Sequence, residues 1–327
     1  MKCTILLIPV LFLFACSPAA PNTNEQDLVA EAVEETLAAV QLPEEVSEPQ
    51  DCDCSVLTRI NPDNEALADV YILDNATGEE SFFASLEDIA VEQNSGEYHN
   101  GNIYLVKEVG YEPGSDDQNW THELWKFDAD ANGTMLFANK GLSYRVSPDE
   151  NYLAIEYVPE GADMNGGGKL AFFDLQGNLL HEYSAPEFRV EQAMLALEKW
   201  SGDGSALWLS LHHVGPRPLA FVRINVASWQ PDIYIFADTP VAAEYDLNAN
   251  TGKLVYSDHP IFFDVNSAQE FADGMNPVTL FVYDFATQNE QVIATSISQM
   301  FHPRWVDDDT IECDDPSGDG VMLIPVN

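Results

Sequence analysis

Positive charge is scarce in this sequence. Only 13 Lys and Arg stand against 55 Asp and Glu, giving a formal net charge of −42. A chain so poor in bases cannot neutralise a phosphate backbone, which excludes nucleic acid as a partner. The same deficit excludes electrostatic docking on anionic lipid. What it fits is a solvated acidic surface, or the binding of cations. Catalytic signatures are missing as well. There is no Gly-x-Ser-x-Gly elbow and no phosphate-cradling glycine loop, and His122-Glu123 does not continue into His-Glu-x-x-His. Carboxylates are too abundant for a catalytic pair to be chosen by spacing. The apolar run from Ile5 to Ala15 is too short to span a bilayer comfortably. Hydrophobic residues at 46% and aromatics at 11% nonetheless supply a substantial core, so the chain is not disordered.

What is present is repetition. Tyr144 to Ile155 reads as strand, tight turn, strand, with Ser147-Pro148-Asp149 as turn formers between apolar flanks that alternate at period two. Copies recur at Ile60–Ala68, Trp200–Trp208, Leu247–Val255 and, one residue shorter, Trp305–Ile311, with a loose copy at Tyr98–Tyr104. A second echo is interleaved: an apolar strand ending in Asp or Asn, then a turn. It appears at Leu124–Asp128, Leu170–Asp174, Phe221–Asn225, Leu280–Asp284 and Leu323–Asn327. Val70–Asp74 matches too, or is a long second strand. Self-similarity at this spacing, with about four strands per unit, predicts a β-propeller.

The Ser-Pro-Asp-x-x-x-Leu-Ala copy at Ser147 and the Trp-Ser-x-Asp-Gly-Ser-x-Leu copy at Trp200 resemble the WD40-like repeats of TolB-type propellers. The resemblance covers roughly residues 55 to 327. It implies an all-β propeller, of six blades with mostly four antiparallel strands each. In that family the turn residues are structural, and its members include scaffolds, peptidase-associated propellers and lyases, so it implies a fold more than a function.

Three segments are expected. Residues 1–15 read as a signal peptide, with Lys2 ahead of the apolar run. Leu13-Phe14-Ala15-Cys16 resembles a bacterial lipobox, which implies a lipid-bearing thiol at Cys16 and a place in the cell envelope. Ser17 then implies the outer membrane facing the periplasm, with the cell surface as the other option. Residues 16–54 read as an acidic tether, punctuated by Pro and free of Lys and Arg, with helical spacing over Leu28–Val40. The propeller occupies residues 55–327. Long interruptions fall at 112–119, 160–168 and 260–277, and residues 185–199 look helical, with Val190, Met194, Leu195 and Leu197 in phase.

Candidate site residues fall into four groups. The position two before each turn Ser or Asn is Arg59, Arg145, Lys199 and Asp246, and in the short copy Arg304, so four of these five are basic and four of the chain's 13 bases share one slot. Strands entering such turns line the channel of a propeller, and Arg forks suit carboxylate, sulfate or phosphate. The competing reading pairs each base with a turn acid, Asp63, Asp149, Asp203 or Asp308. Among the cysteines, Cys52 and Cys54 open the propeller and Cys313 lies in its last blade. A bond from Cys313 to either would close the ring, with a Cys52–Cys54 pair as the competitor. Asp128, Asp130 and Asn132 match the start of a calcium loop, though position twelve is Asn139, and a plain turn fits the same residues. His212 or His213, with His259 and His302, would make a metal site if the fold brought them together.

The leading functional expectation is a monomeric, lipid-anchored binding or scaffold module. It would take an envelope protein, or an anionic peptide or saccharide, and would require no cofactor beyond possible calcium. The runner-up is a propeller enzyme, a hydrolase or a metal-dependent polysaccharide lyase; some propeller lyases of uronates use His-bound manganese. Cys16→Ser is expected to release the protein from membranes, and unchanged membrane fractionation would refute lipidation at Cys16.

Overall fold

A computed structural model of the protein describes residues 53–89, 96–110, 121–159, 168–188, 194–212, 218–235, 244–258, 277–297, 300–318 and 320–326. The lipobox, the tether, Cys52, His213, His259 and most of the long interruptions lie outside the described residues. Residues 51–327 form one compact unit.

Six antiparallel sheets follow one another along this unit, each a meander of neighbouring strands. Blade 1 is β1 (Cys54–Ile60), β2 (Leu67–Asp74) and β3 (Glu80–Glu87). Blade 2 is β4 (Glu97–His99), β5 (Asn102–Val109), β6 (Thr121–Phe127) and β7 (Gly133–Asn139). Blade 3 is β8 (Leu142–Val146), β9 (Leu153–Tyr157), β10 (Lys169–Phe173) and β11 (Leu179–Ser184). Blade 4 is β12 (Met194–Trp200), β13 (Ala206–His212), β14 (Pro218–Asn225) and β15 (Gln230–Ile235). Blade 5 is β16 (Tyr245–Asn248), β17 (Lys253–Ser257), β18 (Val278–Asp284) and β19 (Asn289–Ser296). Blade 6 is β20 (Arg304–Trp305), β21 (Thr310–Asp314) and β22 (Val321–Pro325). The structure is a six-bladed β-propeller, with three strands in the first and last blades.

Both repeats have a local cause. The first is the turn from innermost to second strand. Ser147 N–H bonds the Tyr152 carbonyl, its hydroxyl bonds Asp149 Oδ1 (2.6 Å), and Tyr152 N–H bonds Ser147 Oγ (2.9 Å). Ser201 repeats every one of these bonds with Asp203 and Ala206. The loose copy is a two-residue hairpin, Asn100-Gly101, with φ of 46° and 83°, as a type I′ turn requires. The second repeat is an Asx turn closing the third strand. The side-chain oxygens of Asp128, Asp174, Asn225 and Asp284 each accept the backbone N–H two residues on. Val70–Asp74 belongs to a second strand, β2, and its Asp74 makes the same turn.

The described parts of 185–199 are not α-helical, while 189–193, with Val190, lie outside the described residues. Ala185–Phe188 is a single 3₁₀ turn, and Met194–Trp200 is β12. The apolar spacing there suits either period, and pairing of β12 along β13 decides it, with Leu197 and Trp200 buried.

The core lies between blades. In blades 2 to 5 the second strand is apolar on both faces and buried on both. In β13, for example, Leu207, Leu209 and Leu211 pack back on blade 3, while Trp208 packs forward on blade 5. The same alternation puts Leu153 and Ile155 on blade 2, and Ile311 and Cys313 on blade 5.

Blade 1 breaks this rule. Ala68 and Val70 of β2 hold the phase of Leu153 and Ile155, yet they pack forward, on Ile103 and Leu105 of blade 2. Val56 of β1 forms an antiparallel bridge with Gly96. A Cβ at Gly96 would sit 2.6 Å from Leu105 Cδ2, so only glycine allows this approach. Blade 1 is therefore turned over relative to the others. Five apolar clusters result, and among the described residues none joins blade 6 to blade 1.

The cross-link expected to close the ring is not formed. Cys313 is a free, buried thiol, and Cys54 is disulfide-bonded, though not to Cys313. Cys313 points from β21 into the blade 5 interface, among Val255, Leu280 and Phe301, away from any blade 1 partner. Removing a fully buried aromatic should cost far more than trimming the open end. Trp208→Ala is expected to lower unfolding free energy by about 3–5 kcal/mol, and Leu323→Ala by about 0.5 kcal/mol or less, in urea titrations. A comparable loss at Leu323 would mean that the β22 surface is packed in solution.

Candidate functional site

Strand alternation puts the two kinds of connection at opposite ends of blades 2 to 6. Turns joining first to second and third to fourth strands are short. Residues 110–120, 158–168, 213–217 and 258–277 join second to third strands at the other end. Functional groups on a rigid scaffold concentrate where such loops emerge. The innermost and second strands also carry a polar network toward that end.

In blade 4, Glu198 Oε1 accepts the buried Ser210 hydroxyl and, at 2.7 Å, the Tyr245 hydroxyl of blade 5. His212 Nε2 lies 2.7 Å from the same Ser210 Oγ. One blade on, Ser257 occupies the position of Ser210 and donates to Glu244 Oε2 (2.9 Å). Glu244 Oε1 is 3.2 Å from His302 Nε2, whose Nδ1 is 2.8 Å from Asp314 Oδ2 in blade 6. His302 links blades 5 and 6 with its side chain 62% exposed, at a left-handed φ of 43° that costs a non-glycine residue energy. The Asp314 hydrogen bond and the Glu244 charge hold its imidazolium above the ordinary histidine range, against the opposing effect of burial. An exposed imidazole between two carboxylates can bind a ligand group or carry a proton.

The four bases do share a slot, each next to last in its innermost strand. Their partners are not the turn acids. Asp149 and Asp203 are engaged within their own turns. Arg59 instead forks onto Glu80 at 2.7 and 2.8 Å, and Arg304 onto Glu312 through Nε at 2.8 Å and a terminal nitrogen at 2.5 Å. Lys199 bonds Asp246 of blade 5 (2.5 Å), and Asp246 also accepts Trp305 N–H of blade 6 (2.8 Å). Arg145 ties three blades. It meets Glu97 of blade 2 at 3.4 Å, and its Nε donates to the Glu198 carbonyl of blade 4 at 2.8 Å.

At the proposed calcium loop, Asp128 Oδ1 accepts the N–H groups of Asp130 and Asn132, and Asn132 Nδ2 reaches both carboxylate oxygens. These hydrogen bonds pull the Asp128 carboxyl below its usual range. Asp174 and Asn178 form the same turn in blade 3. Among the described residues no three His, Cys, Asp or Glu are placed to hold a metal ion. Of the four candidate histidines, His212 and His302 are described, and they sit in the separate clusters given above.

Several residues of this network escape sequence reasoning. Glu150, at φ 53° in the Ser147 turn, reaches into blade 2 to accept from Tyr104, Asn102 (3.0 Å) and Lys126 (3.1 Å). Burial raises its pKa, but these hydrogen bonds outweigh it and hold the carboxyl low. Its only signal is a place inside a turn motif. Glu198, Glu244, Tyr245 and Ser257 carry none.

No protein-family model matches this chain, and no curated protein matches it in sequence. Solved structures do match. An oligogalacturonate lyase in complex with manganese is 13% identical, with a TM-score of 0.53 over 81% of this chain and 74% of its own. An oligogalacturonate lyase from Vibrio parahaemolyticus is 13% identical, with a TM-score of 0.51 over 81% and 75%. TolB from Acinetobacter baumannii is 14% identical, with a TM-score of 0.46 over 91% and 68%. At these identities the likeness is one of fold, the β-propeller.

Glu156 of β9 sits at the level of Ser210 and Ser257, and among the described residues nothing hydrogen-bonds its carboxyl. Burial pushes it up to about 7. From about 4.5 to 7 the unfolded state therefore releases a proton that the folded state keeps, and stability falls as pH rises through that window. Glu156→Gln is expected to be neutral near pH 4 and to stabilise near pH 8, on the order of 2–3 kcal/mol. Equal melts of the two proteins at pH 8 would refute the raised pKa of Glu156.

Proposed function

We propose that the protein is a lipid-anchored binding module of the bacterial cell envelope, which captures a protein partner at the loop-bearing end of its propeller. One observation carries this reading. The long connections emerge at the end where Glu244, His302 and Asp314 present an exposed polar group braced across two blades. An anionic peptide or saccharide at Arg59, Arg145, Lys199 and Arg304 would have to displace the carboxylate that each base already holds. That requirement favours a protein partner over an anionic ligand.

A second reading, a polysaccharide lyase or other propeller enzyme, draws on His302. An imidazole flanked by carboxylates is a competent general base. The oligogalacturonate lyases lend it only a shared fold.

Two measurements separate the readings. Full-length protein carrying a Gly/Ser linker in place of residues 259–276 is expected to lose the envelope protein that the native chain captures after cross-linking. A linker in place of the short turn 226–229 is expected to leave capture unchanged. Equal capture by both variants would move the site off the loop-bearing end. Unsaturated product released from oligogalacturonate, and lost with His302→Ala, would establish the enzyme instead.

A further inference from the structure

Turning blade 1 over leaves one of its faces without an apolar neighbour among the described residues. Pairing across β1, β2 and β3 puts Leu57, Tyr71, Leu73 and Phe82 on one side of the sheet. Tyr71 and Phe82 meet edge to face, with centroids 5.6 Å apart, and Phe82 is 59% exposed. None of these four belongs to any of the apolar clusters, whereas the second strands of blades 2 to 5 are covered on both sides. A contiguous apolar and aromatic sheet face in a chain this acidic marks an interaction surface.

The charges on the same face define what fits it. Asp69, Glu80 and Glu87 share the face with a single base, Arg59. Arg59 is already forked onto Glu80 and stacked 4.9 Å from the Tyr71 ring. The face therefore offers apolar rings within a negative rim and no free cation. A second copy is a poor occupant, because each chain carries −42 and like potentials repel. We propose that the Leu57–Tyr71–Leu73–Phe82 face of blade 1 is a docking surface for a basic polypeptide segment bearing large apolar side chains. Its apolar groups cover Phe82 and Tyr71, and its Lys or Arg groups meet Glu87, whose carboxylate Arg59 leaves free while it holds Glu80. This surface is distinct from the loop-bearing end.

The probe is a fluorescein-labelled heptapeptide of alternating Lys and Leu, with the Glu and Leu peptide as its counterpart. Fluorescence anisotropy with the full chain reads both. The Lys peptide is expected to bind, to weaken by about tenfold in Phe82→Asn, and to change by about twofold or less in Leu323→Asn, an equally exposed control on blade 6. The Glu peptide is expected not to bind. Lys-peptide binding indifferent to Phe82→Asn would overturn the proposal, since general attraction to an acidic protein would then explain it. Equal binding of the Glu peptide overturns it too. Two further outcomes name another occupant. Phe82→Cys resisting maleimide in the monomer would mean that the protein's own chain covers the face. A dimer in light scattering, dispersed by Phe82→Asn, would assign the face to a second copy.

Discussion

Face-to-face packing of apolar sheets is the constraint on which this molecule depends. A second strand such as β13, apolar on both sides, cannot stand against water on either side. Each of blades 2 to 5 therefore demands two neighbours, and a meander of such blades must curl into a propeller. The demand stops at the ends. In β21 only Ile311 and Cys313 are buried, with partly exposed Thr310, Glu312 and Asp314 between them. In β2 one face joins an apolar cluster and, among the described residues, the other joins none. The row of blades ends where the sequence stops supplying two apolar faces.

Polar contacts then fix what packing only brings near. Indole N–H groups of Trp200, Trp208 and Trp305 each donate to a backbone carbonyl in the neighbouring blade, those of Arg145, Ala249 and Asp246. Such bonds satisfy buried donors and set the angle between blades at once. The turns add a second line. Asn250 of blade 5 accepts Gly202 N–H of blade 4 at 2.6 Å and donates to Asp308 of blade 6 at 3.0 Å. At Gly204, with φ 68°, a Cβ would lie 3.0 Å from Asp149 Oδ1 of blade 3, so the close approach of these turns rests on its missing side chain. The Trp200 and Trp305 links run between the innermost strands that also hold Arg145, Lys199 and Arg304, so the bases there serve the scaffold.

Much of the fold was legible in the sequence because its causes are local. A Ser-x-Asp turn and an Asx turn are each written within about five residues, so their recurrence revealed the blades and their strand order. The facing of blade 1 was not legible. Asn61-Pro62-Asp63 is as good a turn as Ser147-Pro148-Asp149, and only the fit of Val56 against Gly96 shows that the sheet is turned over. Cys313 was misjudged for a related reason. Its place in the last blade is readable, but which face of β21 it occupies depends on the register with β20. Of the candidate site, the slot of four bases was visible as a pattern. Their partners were not: Asp246 holds the same slot one blade on, but nothing in the repeat says that it pairs with Lys199, and Glu97 and Glu312, 48 and 8 residues from Arg145 and Arg304, lie outside the slot.

Among the described residues no apolar cluster joins blade 6 to blade 1, and this bears on how the described blades hold together. In a closed ring every blade is guarded on both sides, and none can leave without breaking two interfaces. An unclosed row behaves as a one-dimensional array with two termini, in which each unit answers only to its nearest neighbours. Loosening then begins at the terminal blades and travels inward. Blades 3, 4 and 5, with large aromatic clusters between them, are therefore expected to be the last to exchange their amide hydrogens.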